Sequence, residues 1–407
     1  MTEDKRLRDY ARLTVRVGAN VQPGQPVAIR GRIEHAPFVR VLAEEAWKAG
    51  ASYVDVLYVD QHVKKVLIEH APEEALTHTP EWLLKLYEDL AEAHGAEIVV
   101  SGDPDPQLLA GLDPARVGQT RMNALAELSM RQIDARTVSW TIVAIPNEGW
   151  ARTVFGEPDV ERLWNAVAAA VRLDELDPVE AWRRHTAKLA DRARALNELH
   201  LDAVRFHGPG TDLTVGLLRD SRWCGDSHTA WGVEHVANMP TEEVFTTPDR
   251  RRTEGSVRST RPLALPSQGL IVRDLQIEFE SGRATRIDAS ENAEVVRAQM
   301  ESDDGASFLG EVALVDGESA VGKTGITFFD TLFDENATCH AAYGCGFASA
   351  VEGAVGLDPA ELTSRGVNHS AVHVDFMVGG PEVDVDGVTV DGAVIPLLRD
   401  DVWQLGK

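Results

Sequence analysis

The first part of the chain alternates between two kinds of apolar pattern. Amphipathic stretches with a helical period, the last two ending at a glycine, cover residues 6–18, 36–49 and 80–94. Short apolar, β-branched stretches alternate with them at residues 26–30, 53–58, 97–101 and 138–145. Strands that alternate with helices of ten or more residues predict βαβ units and a parallel sheet covered on both faces.

The pattern changes towards the middle of the chain. Residues 159–199 predict two helices, broken near Asp177 and Pro178. After Leu201 the chain consists of short alternating stretches separated by Gly, Pro, Asp and Asn, which predicts a mainly antiparallel β domain with few helices. These stretches are residues 202–206, 212–217, 270–280, 312–314 and 371–378.

Together the patterns predict an α/β fold with two domains, since 407 residues exceed what one hydrophobic core usually supports. An N-terminal βαβ domain with a parallel sheet is expected over residues 1–175. A helical connection over residues 176–200 leads to a β-rich (α+β) domain over residues 201–407.

Composition and charge narrow the range of partners. Lysine and arginine number 40 against 65 aspartates and glutamates, giving a formal net charge of -25. Such a charge repels phosphate backbones and anionic lipid headgroups, so neither nucleic acid nor a membrane surface is an expected partner.

Cysteine usage indicates the compartment. The three cysteines, Cys224, Cys339 and Cys345, form no CxxC pair and are too few for a disulfide framework. The opening residues contain no apolar signal-peptide core, and no apolar run reaches the length of a membrane span. We therefore expect a cytoplasmic protein.

One segment matches a nucleotide-binding pattern. Residues Gly317 to Thr324 fit GxxxxGK[ST], the P-loop consensus, which requires a helix directly after it. The following residues 325–329 are a glycine and β-formers, which predict another strand. A turn between two strands is therefore the favoured interpretation, and nucleotide binding is a minor alternative.

Candidate metal ligands lie in the second half of the chain. His373 and Asp375 are two residues apart in an alternating pattern, so a strand would place both on one face. Taken singly, these two residues fit an exposed polar face, Glu311 a solvated strand residue and Glu243 a turn carboxylate. His340 alone is equally compatible with a structural histidine.

Four phrases around these residues resemble one known family, that of aminopeptidase T, aminopeptidase S and PepS. They are Pro-Thr-x-Glu-Val-Phe-Thr, Leu-Gly-Glu-Val, Thr-Leu-Phe-Asp-Glu-Asn-Ala-x-x-His and Asn-x-Ser-x-x-His-x-Asp-Phe-Met, at residues 240–246, 309–312, 331–340 and 368–377. Their order and approximate separations also resemble the family, and the resemblance extends over nearly the whole chain.

The resemblance implies a metalloaminopeptidase with two divalent ions, for which cobalt, zinc, magnesium or manganese are the candidates. The ligands that it implies are Glu243, Glu311, His340, His373 and Asp375. It further implies peptide substrates with a free N-terminus and a homodimeric assembly. Glu243 and Glu311 also stand among the implied catalytic residues.

The chemistry of this set agrees with that implication. Three carboxylates and two imidazoles suit borderline divalent ions better than a thiolate site would. In two-metal sites the ions lie about 3.5–4 Å apart and clamp the attacking and leaving oxygens. The sequence leaves open which carboxylate bridges the ions, and whether Glu242 supports the site or lies at the surface.

One position departs from the family pattern. The family usually has a tyrosine seven residues after the third-phrase histidine, counted among its active-site residues, and here that position is Phe347. A phenol could donate a hydrogen bond to a developing oxyanion, whereas phenylalanine cannot. Tyr343 is a possible replacement. The alternatives are another metal-dependent hydrolase on the same scaffold, or a metal-binding protein with little turnover.

Overall fold

The computed structural model describes residues 3–120, 122–225, 228–265 and 268–405. The chain divides into two compact units. The first unit comprises Met1–His185, Ser227–Thr241 and Pro266–Gly269, and the second comprises Thr186–Asp226, Glu242–Leu265 and Leu270–Lys407. The domain bounds drawn from the sequence stay a prediction.

The strands are numbered here in chain order. They are β1 (Pro26–Arg32), β2 (Tyr53–Val59), β3 (Ala96–Ser101), β4 (Ser139–Ala144), β5 (Leu201–Gly208), β6 (Thr211–Leu217), β7 (His228–Ala230), β8 (Val233–His235), β9 (Asn238–Met239), β10 (Val244–Thr246), β11 (Pro248–Arg258), β12 (Leu263–Leu265), β13 (Leu270–Val272), β14 (Gln276–Glu280), β15 (Arg283–Asp288), β16 (Leu309–Leu314), β17 (His340–Gly344), β18 (His373–Met377), β19 (Asp384–Thr389), β20 (Val394–Arg399) and β21 (Val402–Trp403).

The α-helices are numbered in the same way. They are α1 (Glu3–Leu13), α2 (Ala36–Ala49), α3 (Gln61–His70), α4 (Glu73–Leu76), α5 (Glu81–Glu92), α6 (Pro114–Gln119), α7 (Asn123–Asp134), α8 (Glu148–Phe155), α9 (Val160–Ala170), α10 (Pro178–Glu198), α11 (Ala293–Met300), α12 (Thr331–Asp334) and α13 (Pro359–Arg365). A π-helical turn, Thr14–Gly18, continues α1.

The first unit contains a parallel sheet of five strands in the order β2-β1-β3-β4-β9. All of its neighbouring strands run parallel. Helix α2 buries an apolar stripe that includes Phe38 and Leu42 and ends at Gly50, whose φ of 97° suits a residue without a Cβ. The predicted parallel sheet is confirmed.

The second unit contains two larger antiparallel sheets. One has eight strands in the order β15-β14-β11-β6-β5-β19-β20-β21, and the other has four in the order β10-β16-β17-β18. Fully buried side chains from both sheets, such as Phe206 and Phe376, belong to one apolar core. A parallel sheet followed by antiparallel sheets is the fold class that the sequence predicts.

Two local predictions are wrong. Residues 270–280 form two strands, β13 and β14, because the chain turns at Asp274, where φ is 51°. The P-loop-like segment is followed neither by a strand nor by a long helix. Its last residues form the 3₁₀ turn Gly322–Thr324, which Gly325 ends with φ 63°. The segment therefore lacks the helix that a P-loop requires directly after it. The side chain of Lys323 is exposed and pairs with Glu318 at 3.1 Å.

The longest helix, α10, has 21 residues and carries many charged side chains. Within the described ranges, no helix combines the length and apolar character that crossing a membrane requires.

Candidate metal centre

The candidate ligands lie on one face of the four-stranded sheet. Glu311 in β16 is opposite Ala342 in β17, and Ala342 is opposite Asp375 in β18. Residues directly opposite in antiparallel strands project to the same face. His340 and His373 are two residues from Ala342 and Asp375 on their own strands, so they project to this face as well.

The other face of the same sheet is apolar and packs into the core of the second unit. Val312, Ala341, Tyr343 and Phe376 alternate along the strands with the residues of the ligand face, and all are buried in that core. Because side chains alternate along a strand, a shift of one residue would move the charged side chains into the core. Burial of these apolar residues therefore fixes the register of the strands.

A β-bulge directs Glu311 to the ligand face. Leu309 is opposite Tyr343 and Glu311 is opposite Ala342, so β16 has one extra residue, Gly310, at this point. A regular strand would give Leu309 and Glu311 the same face, and the carboxylate would enter the apolar core. A Cβ at Gly310 would lie 2.2 Å from the Cys345 carbonyl oxygen and 2.4 Å from that of Gly344.

Gly310→Ala is therefore expected to destabilise the protein by about 2–3 kcal/mol and to weaken metal binding, because backbone atoms must shift to admit a methyl group. Thermal unfolding and metal content of the purified variant check this. Gly118→Ala is the control, since a Cβ at Gly118 meets nothing within 4 Å. Equal stability and metal content in both variants would show that the bulge does not position Glu311.

Glu243 reaches the same face from the residue before β10. Its Oε2 lies 2.9 Å from Nε2 of His340. Its neighbour Glu242 is buried and donates its backbone N–H to Oδ1 of Asn336 at 2.7 Å. Glu242 is thus not at the surface.

The clustered side chains form two groups of three that share Glu311. Among the described residues, one group is Glu243, Glu311 and His340, and the other is Glu311, His373 and Asp375. The potential ligand atoms within each group lie within 4.8 Å of one another. Both predicted histidines and all three predicted carboxylates are therefore brought together.

The two oxygens of Glu311 face different histidines. Oε1 lies 3.9 Å from Nε2 of His340, and Oε2 lies 3.3 Å from Nε2 of His373. Nε2 of His373 is also 3.6 Å from Oδ1 of Asp375. A carboxylate with one oxygen in each group has the arrangement required to bridge two cations.

Burial and crowding of charge dominate the electrostatics of the cluster. Burial raises the pKa of Glu311 to about 7, and the charges of Glu243 and Asp375 contribute in the same direction. Burial alone would lower the pKa of His340, but its hydrogen bond to Glu243 and the surrounding carboxylates raise it to about 10. Buried carboxylates at this density favour a cation among them.

The histidine rings are oriented for ligation through Nε2. Nδ1 of His373 donates a hydrogen bond to the Cys345 carbonyl oxygen at 2.8 Å, which leaves Nε2 facing the carboxylates. Nδ1 of His340 is buried and has no hydrogen-bond partner among the described residues. Carboxylate oxygens and imidazole nitrogens are the donors that borderline divalent ions take, so the residues present fit such ions.

A sixth buried group was missed by the sequence reasoning. Glu335 is 7% exposed and receives a hydrogen bond from Nδ2 of Asn336 at 3.3 Å. Burial raises its pKa well above the usual value, and the charges of Asp375 and Glu243 add to that effect. Glu335 lies inside the third phrase, at residues 331–340. A carboxylate in that mostly apolar stretch could have been recognised from the sequence as a candidate site residue.

The two aromatic residues considered for the phenol position lie on different sides of the sheet. The ring of Phe347 lies beside the cluster, with its centroid 5.0 Å from that of His373. Tyr343 is fully buried on the core side, and its hydroxyl donates to Oε1 of Gln299. Tyr343 therefore does not supply a phenol to the ligand face.

Comparisons with known proteins show which family the chain resembles. The profile of the Thermophilic metalloprotease (M29) family matches residues 3–403. Aminopeptidase T of Thermus aquaticus is 44% identical over 407 residues, and aminopeptidase AmpS of Bacillus subtilis is 40% identical over 407, each alignment covering 98% of both chains. The solved structure of wild-type AmpT from Thermus thermophilus is similar at TM-score 0.88 and 40% identity, covering 99% of this chain and all of that one.

Proposed function

This chain belongs to the thermophilic metalloprotease family M29, and from that premise we propose that it is an aminopeptidase that releases N-terminal residues from peptides. The observation that carries the proposal is the pair of buried ligand groups that share Glu311. Relatives of similar length that are named as aminopeptidases support the reaction class.

We propose further that the site holds two divalent ions. Glu243 and His340 would hold one ion, His373 and Asp375 the other, and Glu311 would bridge them. Cobalt, zinc, magnesium and manganese remain the candidates, because mixed oxygen and nitrogen donors exclude none of them. Bound ions of this kind lower the pKa of water and polarise a carbonyl.

Glu335 is proposed as the group that carries protons. It is the further buried carboxylate facing the cluster, and it lies outside both groups of three. A carboxylate beside the cluster could take a proton from the attacking water and return it to the leaving amine. The Asn336 amide holds it in place at one oxygen.

We also propose a location and an assembly state. A cytoplasmic location is proposed because the chain has only three cysteines, Cys224, Cys339 and Cys345, too few for a disulfide framework. A homodimer is proposed from the family resemblance, and exposed apolar side chains support an association surface. These include Val390 and Val394, which are 82% and 60% exposed at the β19–β20 hairpin.

The proposal is tested with chelator-treated protein that is then given each of the four metals. Leucyl reporter substrates and short unblocked peptides should be cleaved with at least one of them, and the same substrates with an acetylated amine should not. Absence of turnover with every metal would refute the aminopeptidase assignment.

A second candidate function rests on Phe347, which provides no phenol beside the cluster. Cleavage of acetylated substrates as fast as free ones would favour another metal-dependent hydrolase. Stoichiometric metal without any cleavage would favour a metal-binding protein with little turnover. The substrate panel and a measurement of metal content together separate all three functions.

A further inference from the structure

The cluster is deep at one end and open at the other. The side chains of His340 and Glu311 are 1% and 5% exposed, whereas those of Asp375 and His373 are 15% and 20% exposed. A ligand therefore reaches the cluster from the side of His373. Phe347 is only partly buried and lies on that side, with its ring tilted by 56° to that of His373.

The surroundings of Phe347 are apolar. Its ring packs edge-on against Phe245 at a centroid separation of 5.5 Å. Phe245 is opposite Ala313, which is opposite His340, so the Phe245 side chain projects to the ligand face. Ala313 and Ala350 join these two rings in a small apolar cluster beside the charged one. The pair of rings, Phe245 and Phe347, is called here the aromatic wall.

Two hydrogen bonds hold the backbone of Phe347 in place. The N–H of Phe347 donates to Oγ1 of Thr247 at 2.9 Å, and Oγ1 of Thr247 donates to the Phe347 carbonyl oxygen at 3.0 Å. This paired hydrogen bond limits the positions that the ring can take. A preformed apolar surface binds an apolar side chain without an ordering cost of its own.

We propose that the aromatic wall, formed by Phe347 and Phe245, receives the side chain of the substrate's N-terminal residue and makes the enzyme select large apolar residues. This inference rests on the proposed function. In a peptide, the first side chain is attached to the carbon next to the first carbonyl. When that carbonyl lies at the cluster, the first side chain lies close to it and can reach the open end, where Phe347 lies. The wall offers contact area to leucine or phenylalanine and no hydrogen bond to a polar side chain.

The test compares kcat/KM for leucyl, phenylalanyl, alanyl and lysyl substrates that carry one leaving group. The native protein should prefer leucyl and phenylalanyl over alanyl and lysyl. Phe347→Ala should reduce the leucyl-to-alanyl ratio by about tenfold, mainly through KM for the leucyl substrate, while metal content stays the same. Phe347→Tyr keeps the ring and should keep the ratio.

Binding of free leucine and free alanine, measured by calorimetry on metal-loaded protein, gives a second readout. Leucine should bind more tightly than alanine, and Phe347→Ala should remove the difference. Phe155→Ala in the first unit is the matched control, since it truncates another partly buried phenylalanine outside the wall and should leave both readouts unchanged.

The outcomes separate the two proposals. An active enzyme whose leucyl-to-alanyl ratio is unchanged in Phe347→Ala would overturn the aromatic wall and leave the aminopeptidase assignment intact. Faster cleavage of lysyl than leucyl substrates would overturn it as well. If no substrate is cleaved, the aminopeptidase assignment fails, and the comparison of leucine with alanine still decides whether the wall binds apolar side chains.

Discussion

Glu311→Gln is expected to reduce peptide cleavage by about a thousandfold or more and to release both metal ions. Its two oxygens face the two histidines separately, so glutamine would give one group of three an NH2 that cannot ligate and the other a neutral amide oxygen in place of a charged one. Metal ions contribute several kcal/mol to such reactions, and each 1.36 kcal/mol corresponds to a tenfold change in rate.

Glutamine has the shape of glutamate without its charge, so folding should survive the change. In chelator-treated protein the variant should unfold at the native temperature or above it, because burying the charge of Glu311 is costly without a cation. Glu352→Gln, at an exposed carboxylate, is the control and should keep metal and activity. A Glu311→Gln enzyme that retained both ions would contradict the bridging role.

His340→Ala and Glu243→Ala are expected to have the next largest effect. Both residues belong to the same group of three, with Nε2 of His340 2.9 Å from Oε2 of Glu243. Removing either should cost about one metal equivalent and at least a hundredfold in kcat, since the second group keeps Glu311, His373 and Asp375.

Elemental analysis and circular dichroism of both variants check this expectation. The far-ultraviolet spectrum should stay native, because the sheet face beneath the cluster is held by apolar residues such as Phe376 and Val312. Native activity in either variant would show that the ligand assignment is wrong. Loss of both ions in both variants would show that the two groups do not bind independently.

Much of the fold could be predicted because local pattern and tertiary packing agree. Helix α2 and its end at Gly50 follow from an apolar stripe and a glycine cap. The antiparallel β18 follows from its alternation, which also gives His373 and Asp375 one face. The split between β13 and β14 was missed because Asp274, although a turn-forming residue, is a single polar position inside a longer alternating stretch.

Only part of the candidate site could be predicted from the sequence. Glu311 follows Leu309 by two residues, so alternation alone would have placed both side chains in the core; only the bulge at Gly310 separates them. Glu335 lies in a short helical turn, Glu335–Ala337, where no period indicates its direction. The aromatic wall joins residues 102 positions apart in the chain, Phe245 and Phe347, and depends on tertiary packing that no local pattern contains.

The most direct test of the two-ion site is a cobalt titration of chelator-treated protein, with leucyl reporter cleavage followed at each addition. Activity should rise until about two ions are bound per chain, and Glu311→Gln should show no such rise. Full activity at one bound ion, or two bound ions without cleavage of any unblocked peptide, would contradict this expectation.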